Sequence, residues 1–104
     1  MKNIEISLNE AANQFEATQD SQVVGVLKFT PKEHTMVLTS TEVDPGFGGR
    51  GIGIQLVHFA MEAARESGDT QIAPSCSFVV SWVERHPGYR DLVVPVPAGT
   101  TEAE

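Results

Sequence analysis

Five glycines lie within eight positions near the middle of the chain, at Gly46, Gly48, Gly49, Gly51 and Gly53. They follow a stretch rich in β-branched residues and precede one whose apolar residues recur at helical spacing. Glycine permits positive φ angles and close approach of the backbone to a ligand. The first turn of a helix has unpaired N–H groups and carries the positive end of the helix dipole. The segment therefore predicts a strand, a phosphate-binding turn and a helix.

Four stretches of strand-forming residues precede the glycines, and short polar turns join them. The first alternates Ile4, Ile6 and Leu8 with polar neighbours, the pattern of a half-buried strand. Pro31 is expected to end the third, because proline cannot donate to a central ladder. The spacing predicts an antiparallel meander with strands at residues 2–8, 14–18, 22–30 and 35–43.

The pattern changes to helical spacing after the glycines. A helix is predicted from Ile52 to Ser67, with Gly68 just beyond its C-terminus. Its predicted apolar face comprises Ile52, Leu56, Phe59, Ala60 and Ala63, flanked by Val57, Met61 and Ala64.

A short strand over 70–74 and a second helix over 77–85 follow, with Ser75 or Ser77 as its cap. Its candidate core residues are Phe78, Val79, Trp82 and Val83. Residues 92–96 are either a last short strand or an extended tail. The order predicts an α+β fold with about two helices packed on a mostly antiparallel sheet. The fourth and fifth strands are expected to be parallel, joined by a right-handed crossover.

Length and composition limit the possible functions. A chain of 104 residues predicts one domain, assigned to residues 1–96, with 97–104 as a flexible acidic tail. The formal net charge of −7 argues against nucleic acid as a partner and permits an amine-bearing one. A single cysteine excludes an internal disulfide and favours the cytoplasm. No metal-site spacing, membrane span or signal-peptide core is present in the sequence.

Three phosphate-binding motifs can be tested against the glycine turn. A P-loop requires Lys where Ile52 stands, so that motif fails. Gly46, Gly48 and Gly51 match the dinucleotide-binding fingerprint, and Asp69 follows at about the right interval. However, Asp69 precedes the next predicted strand instead of following it, and four antiparallel strands come first. A turn that binds the pyrophosphate of coenzyme A is the third possibility.

The segment 48–53, between a strand and an amphipathic helix, resembles the acyl-CoA signature of GNAT N-acetyltransferases. Residues 74–79, with Cys76, and residues 84–93, with His86, Pro87 and Tyr89, resemble the small, minimal GNAT-like family. The resemblance covers roughly residues 3–94. Gly48 stands where the superfamily signature has Gln or Arg, and Arg50 is expected to add positive charge.

The resemblance implies that the fourth and fifth strands splay apart and that acetyl-CoA binds between them. Backbone groups of Glu42, Val43 and Asp44 would then pair with pantetheine. The turn would hold the pyrophosphate, through residues Gly48, Gly49, Arg50, Gly51, Ile52 and Gly53. The implied activity is acetyl transfer to an amine of a small molecule or protein, by a monomer or weak dimer. The alternative is a non-catalytic acyl-CoA-responsive or protein-interaction module on the same fold.

Attack of a neutral amine on a thioester needs a base, and the leaving thiolate needs a proton. Glu42, at the end of the fourth strand, is the candidate base, and a surface carboxylate is its structural alternative. Cys76 is a candidate acetyl-accepting nucleophile or pocket-lining group. Tyr89 is the candidate acid by resemblance, although packing also explains a tyrosine there. His86 is expected to cap the second helix.

Overall fold

The computed structural model describes residues 4–47 and 51–96. Five strands form one sheet in the order β1-β2-β3-β4-β5, antiparallel except for the parallel pair β4–β5. This confirms the predicted α+β fold class. The strands are β1 (Glu5–Asn9), β2 (Gln14–Gln19), β3 (Gln22–Lys32), β4 (Thr35–Val43) and β5 (Gln71–Pro74); the helices are α1 (Ile52–Ser67) and α2 (Ser77–Glu84). Short 3₁₀ helices cover Pro45–Phe47 and Pro87–Leu92. The predicted tail, 97–104, lies outside the described residues.

The parallel strands β4 and β5 separate partway along their length. Their paired positions end at Leu38 and Pro74. The N–H groups of Ser75 and Cys76 both donate to the carbonyl of Leu38, each at 3.0 Å, and the chain then turns into α2. β4 continues to Val43 and remains paired with β3. A gap therefore opens between the second half of β4 and the start of α2.

Helix α1 packs on one face of the sheet over Gly25 of β3. A Cβ at Gly25 would lie 2.9 Å from Ile52 Cγ2, closer than packed carbon atoms approach, so the glycine sets the distance between helix and sheet. The buried stripe of α1 is Ile52, Leu56, Val57, Ala60, Met61 and Ala64. Two predicted core positions were thus wrong: Phe59 is exposed, with its ring edge on Phe15, and Ala63 is only half-buried. The buried face of α1 is therefore rotated by about one residue position from the predicted apolar face.

Strand β3 continues through Pro31, contrary to the prediction that proline would end it. Pro31 pairs with Met36 of β4, and β3 turns only at Glu33, which has φ 56°. Pairing of β3 with β2 ends at Lys28, and the Phe29 N–H donates to the Asn13 carbonyl just beyond it, so the outer side of β3 is a sheet edge at Pro31. Proline is tolerated at an edge because no neighbour needs its missing N–H.

Helix α2 buries Val79, Trp82 and Val83, as predicted, but Phe78 is partly exposed and faces the N-terminus of α1. Neither predicted serine caps the helix: Cys76 is the N-cap residue, without a side-chain capping bond. Past the second 3₁₀ helix, Val93 makes one bridge to Ile72, and the Val94 N–H donates to the Ile72 carbonyl. The segment 92–96 is therefore mostly an extended end and not a full strand.

Candidate functional site

The N-terminus of α1 lies beside the gap between β4 and β5. The Gly46 N–H donates to Asp44 Oδ1 at 2.9 Å, and Gly51, in the left-handed region at φ 72°, begins the helix. The first helical hydrogen bond runs from the Gln55 N–H to the Gly51 carbonyl. No side chain caps this end of α1 in the described part of the chain. The N–H groups of residues 51–54 thus lack helical acceptors and face the direction in which an anion would bind.

The predicted cofactor residues divide into two groups. Gly51, Ile52 and Gly53 form the first turn of α1, and Val43 lies beside them. Gly48, Gly49 and Arg50 lie outside the described residues, so their predicted contribution stays a prediction.

A cleft of about 360 Å³ runs from this helix end into the gap. Its lining is mostly apolar and consists of Thr41, Val43, Phe47, Gly51, Ile52, Gly53, Ile54 and Phe78. A Cβ at Gly53 would lie 3.1 and 3.2 Å from Phe78 ring atoms and 3.6 Å from Thr41 Cγ2, so any side chain at this position would crowd Phe78 at the wall of the cleft. A narrow, mostly apolar passage that ends at free N–H groups fits an uncharged arm attached to a pyrophosphate, as in coenzyme A.

Cys76 lies at the inner end of the gap. Its Sγ is 3.6 Å from the Thr41 hydroxyl, across from β4. The thiol is half-buried. The neighbouring Ser75 hydroxyl is buried and has no hydrogen-bond partner among the described residues. Cys76 is thus brought to the site, together with Thr41, which sequence reasoning did not single out.

Glu42 lies on the other face of the sheet. Thr41 and Val43 line the cleft, and side chains alternate along a strand, so the Glu42 carboxylate is on the face opposite α1. It is 63% exposed, and its Oε2 lies 3.7 Å from Lys28 Nζ. The backbone of Glu42 belongs to the separated half of β4, where the resemblance places pantetheine. The position is compatible with a base that receives an acceptor from solvent on the face opposite α1.

Tyr89 lies away from the cleft, near the middle of α1. Its hydroxyl donates to Glu62 Oε2, its ring packs at 5.2 Å from Trp82, and Arg65 lies 5.3 Å above it. The hydrogen bond to Glu62, with a contribution from burial, raises the pKa of Tyr89. Glu62 is nine residues after Gly53, about 13 Å along the axis of α1. Tyr89 is absent from the cleft lining, so the structure gives no support for an acid role and its contacts are those of packing.

His86 lies just beyond Arg85, the C-cap residue of α2, and contacts the last turn of the helix. Its Nδ1 lies 2.7 Å from the Trp82 carbonyl, and its ring stacks on Trp82 with 3.9 Å between centroids. The described residues include no cluster of three or more His, Cys, Asp or Glu that could hold a metal ion. Within the same residues, no helix has the length and apolar character required to cross a membrane.

A sheet whose parallel strands separate beside an uncapped, glycine-rich helix N-terminus defines the class of acyl-CoA-binding transferase folds. The family model for GCN5-related N-acetyltransferases matches residues 14–92. The chain belongs to this family. No curated protein has significant sequence similarity to the chain.

Three solved structures illustrate the relationship. A GCN5-like protein from Staphylococcus aureus is 26% identical, with a TM-score of 0.69 over 99% of this chain and 100% of that one. The ribosomal-protein-S18-alanine N-acetyltransferase from Escherichia coli has a TM-score of 0.61 at 14% identity, covering 82% and 76% of the two chains, and it shows the fold alone. A GNAT family acetyltransferase from Brucella melitensis, in complex with acetyl-CoA, is 25% identical, with a TM-score of 0.53 over 62% of this chain and 47% of that one.

Proposed function

We propose that the protein is an acetyl-CoA-dependent N-acetyltransferase. The observation that carries the proposal is the cleft between the separated strands, which leads to the free N–H groups of α1 and has Gly53 packed closely against Phe78 in its wall. Family membership and the acetyl-CoA complex of the Brucella melitensis protein support the choice of ligand.

Each part of the site has an assigned task. Backbone N–H groups of Gly51, Ile52 and Gly53 bind the pyrophosphate, with help from the helix dipole. Backbone groups of Glu42 and Val43 pair with the pantetheine arm. Phe78 and Val43 exclude water from the arm, because both line the cleft with apolar surface. Acetyl-CoA supplies an activated thioester when bound.

The Glu42 carboxylate takes a proton from the ammonium group of the acceptor, directly or through one water molecule, and the neutral amine then attacks the thioester. The Glu42 side chain is exposed to solvent, which leaves room for an acceptor to approach. Cys76, at the inner end of the gap, is assigned to contact with the acetyl group.

The acceptor is an amine on a small molecule or a protein. The net charge of −7 favours a cationic acceptor over nucleic acid. We also infer a cytoplasmic protein that is monomeric or weakly dimeric, on the grounds of its single cysteine and small size.

Isothermal titration with acetyl-CoA tests the cofactor assignment. We expect saturable binding with a stoichiometry of one, and free adenosine diphosphate should compete because it reaches the same N–H groups. Absence of binding at millimolar acetyl-CoA would refute the proposal.

Thiol release from acetyl-CoA over a panel of amines tests catalysis. Glu42→Gln should lower turnover by at least about 10²-fold, the usual contribution of a general base. Glu5→Gln, which changes an exposed carboxylate on the edge strand β1, is the matched control and should leave turnover unchanged.

Cys76→Ala should raise KM more than it lowers kcat. Complete loss of turnover, together with an acetylated thiol in the native protein, would instead make Cys76 the nucleophile. Unchanged turnover in both Glu42→Gln and Cys76→Ala would show that the site is wrongly assigned.

A second candidate is a module on the same fold that binds acyl-CoA without turnover. The hydrogen bond of the Tyr89 hydroxyl to Glu62 favours it, because the expected acid is thereby occupied away from the cleft. Saturable acetyl-CoA binding without thiol release for any amine would support this candidate.

A further inference from the structure

Lys28 and the proposed base Glu42 form an ion pair on the face of the sheet opposite α1. Lys28 Nζ lies 3.7 Å from Glu42 Oε2. The two residues are on neighbouring strands, where Lys28 is diagonally opposite Glu42. Their side chains are 47% and 63% exposed, so screening by water makes this pair a minor contribution to stability. The pair nevertheless places the primary amine of Lys28 beside the Glu42 carboxylate, which is the proposed base for amine acceptors.

The register places Lys28 level with the gap between β4 and β5. Lys28 pairs with Ser40, two residues beyond Leu38, where pairing between β4 and β5 ends. The gap lies on the far side of β4 from β3, two strand spacings or about 9.6 Å from the Lys28 backbone. The extended lysine side chain spans about 6 Å from Cα to Nζ. Because side chains stand out of the sheet, Lys28 approaches the gap by leaning across β4, beside Glu42.

We propose that Lys28 is an acetyl acceptor within its own chain, so that the protein acetylates itself at this residue. This inference rests on the proposed acetyltransferase function. Glu42 takes one proton from the Lys28 ammonium group, and the neutral amine attacks the thioester carbonyl of acetyl-CoA. The new N–C bond forms as the C–S bond breaks. The nitrogen then loses its second proton to solvent, and the departing thiolate takes up one proton from solvent. The products are acetyl-Lys28 and coenzyme A, without any oxidant or reductant.

The modification changes the site electrostatically. Acetylation removes the positive charge of Lys28 and with it the ion pair to Glu42. The carboxylate then faces an acceptor from outside without a competing cation. Acetyl-Lys28 is thus the form of the protein in which Glu42 is available to other amines.

The chain contains three lysines, Lys2, Lys28 and Lys32, which makes the test internally controlled. The purified protein is incubated with acetyl-CoA, and peptides cut at acidic residues are quantified by mass spectrometry. We expect acetylation at Lys28 at least about tenfold faster than at Lys2 or Lys32, at a first-order rate independent of protein concentration. Equal rates at the three lysines, or a rate that rises in proportion to protein concentration, would overturn the proposal.

Two substitutions separate self-acetylation from chemical background. Glu42→Gln should reduce acetylation of Lys28 at least about tenfold and leave the slow rates at Lys2 and Lys32 unchanged. Lys32→Arg, the matched control, should leave Lys28 acetylation unchanged. Loss of Lys28 acetylation in Lys32→Arg, or its persistence at full rate in Glu42→Gln, would contradict the assignment.

Failure of this inference can be distinguished from failure of the proposed function. Acetyl-CoA binding and thiol release with added amines, without acetyl-Lys28, would refute self-acetylation alone. Absence of acetyl-CoA binding would refute both.

Discussion

The Thr41 hydroxyl and the Cys76 thiol lie 3.6 Å apart across the gap where β4 and β5 separate. They are 35 residues apart in sequence, and of the two Thr41 lines the cleft. A hydroxyl at this distance can donate to the sulfur and stabilise its anion.

Replacement of Thr41 by valine should therefore make Cys76 less reactive, because valine keeps the shape but not the donor. We expect alkylation by iodoacetamide to slow by about two- to tenfold, which corresponds to one ordinary hydrogen bond. Thr41→Ser retains the hydroxyl and should react close to the native rate. Equal rates for the valine and serine variants would show that the contact is only packing.

Gly53→Ala should weaken acetyl-CoA binding without unfolding the protein. Alanine favours the helix by up to about 1 kcal/mol over glycine, which offsets the tight contact of its methyl group with the Phe78 ring. The methyl group narrows the cleft, and we expect at least about a tenfold increase in Kd by titration calorimetry. Gly88→Ala, which adds a methyl group in open space, is the control. Native affinity in Gly53→Ala would place the ligand elsewhere.

Gly25→Ala should destabilise the fold, because its Cβ would lie 2.9 Å from Ile52 Cγ2 and 3.4 Å from the Glu42 carbonyl oxygen. Overpacking of this kind costs about 1–3 kcal/mol of unfolding free energy. Urea denaturation followed by circular dichroism measures it, with Gly88→Ala expected to change stability by less than about 0.5 kcal/mol. A stabilising effect, as expected for an unobstructed glycine in a strand, would show that α1 does not approach the sheet this closely.

The ion pair between Arg65 and Asp91 should make stability depend on pH. Two hydrogen bonds of 3.1 Å from the Arg65 guanidinium lower the pKa of Asp91 below its ordinary value of 3.8. A group with a lowered pKa in the folded state stabilises the fold above its unfolded pKa, and this contribution disappears as pH falls through the folded value. Asp91→Asn should thus lower the Tm near pH 7 and approach the native protein as pH falls through the lowered pKa of Asp91. Glu84→Gln, on the exposed side of α2, is the control and should show no such pH-dependent difference in Tm. If Asp91→Asn lowers the Tm equally at neutral and at acidic pH, the ion pair is not the cause.

The elements of the fold were predictable because they follow from local patterns. The predicted helix over Ile52 to Ser67 and its terminal Gly68, with φ 84°, agree with the structure. The meander and the parallel crossover also followed from residue periodicity and from the length of the connections. The predicted end of β3 was wrong because the cost of a proline depends on whether a neighbouring strand needs its N–H. Pro31 has no paired strand on one side.

The site was only partly predictable, because its contacts join residues distant in sequence. Resemblance to the family directed attention to Cys76 and to the glycine turn. It gave no indication that Phe78 closes against Gly53, that Lys28 pairs with Glu42, or that Tyr89 is bound to Glu62, 27 residues away.

The sequence alone thus determined the order of strands and helices, the position of the glycine turn and the family, since each depends on patterns within short segments. The tertiary structure decided which side chains face the cleft. Burial and pairing depend on the distance between packed elements, and at Gly25 and Gly53 that distance is set by the absence of a single methyl group.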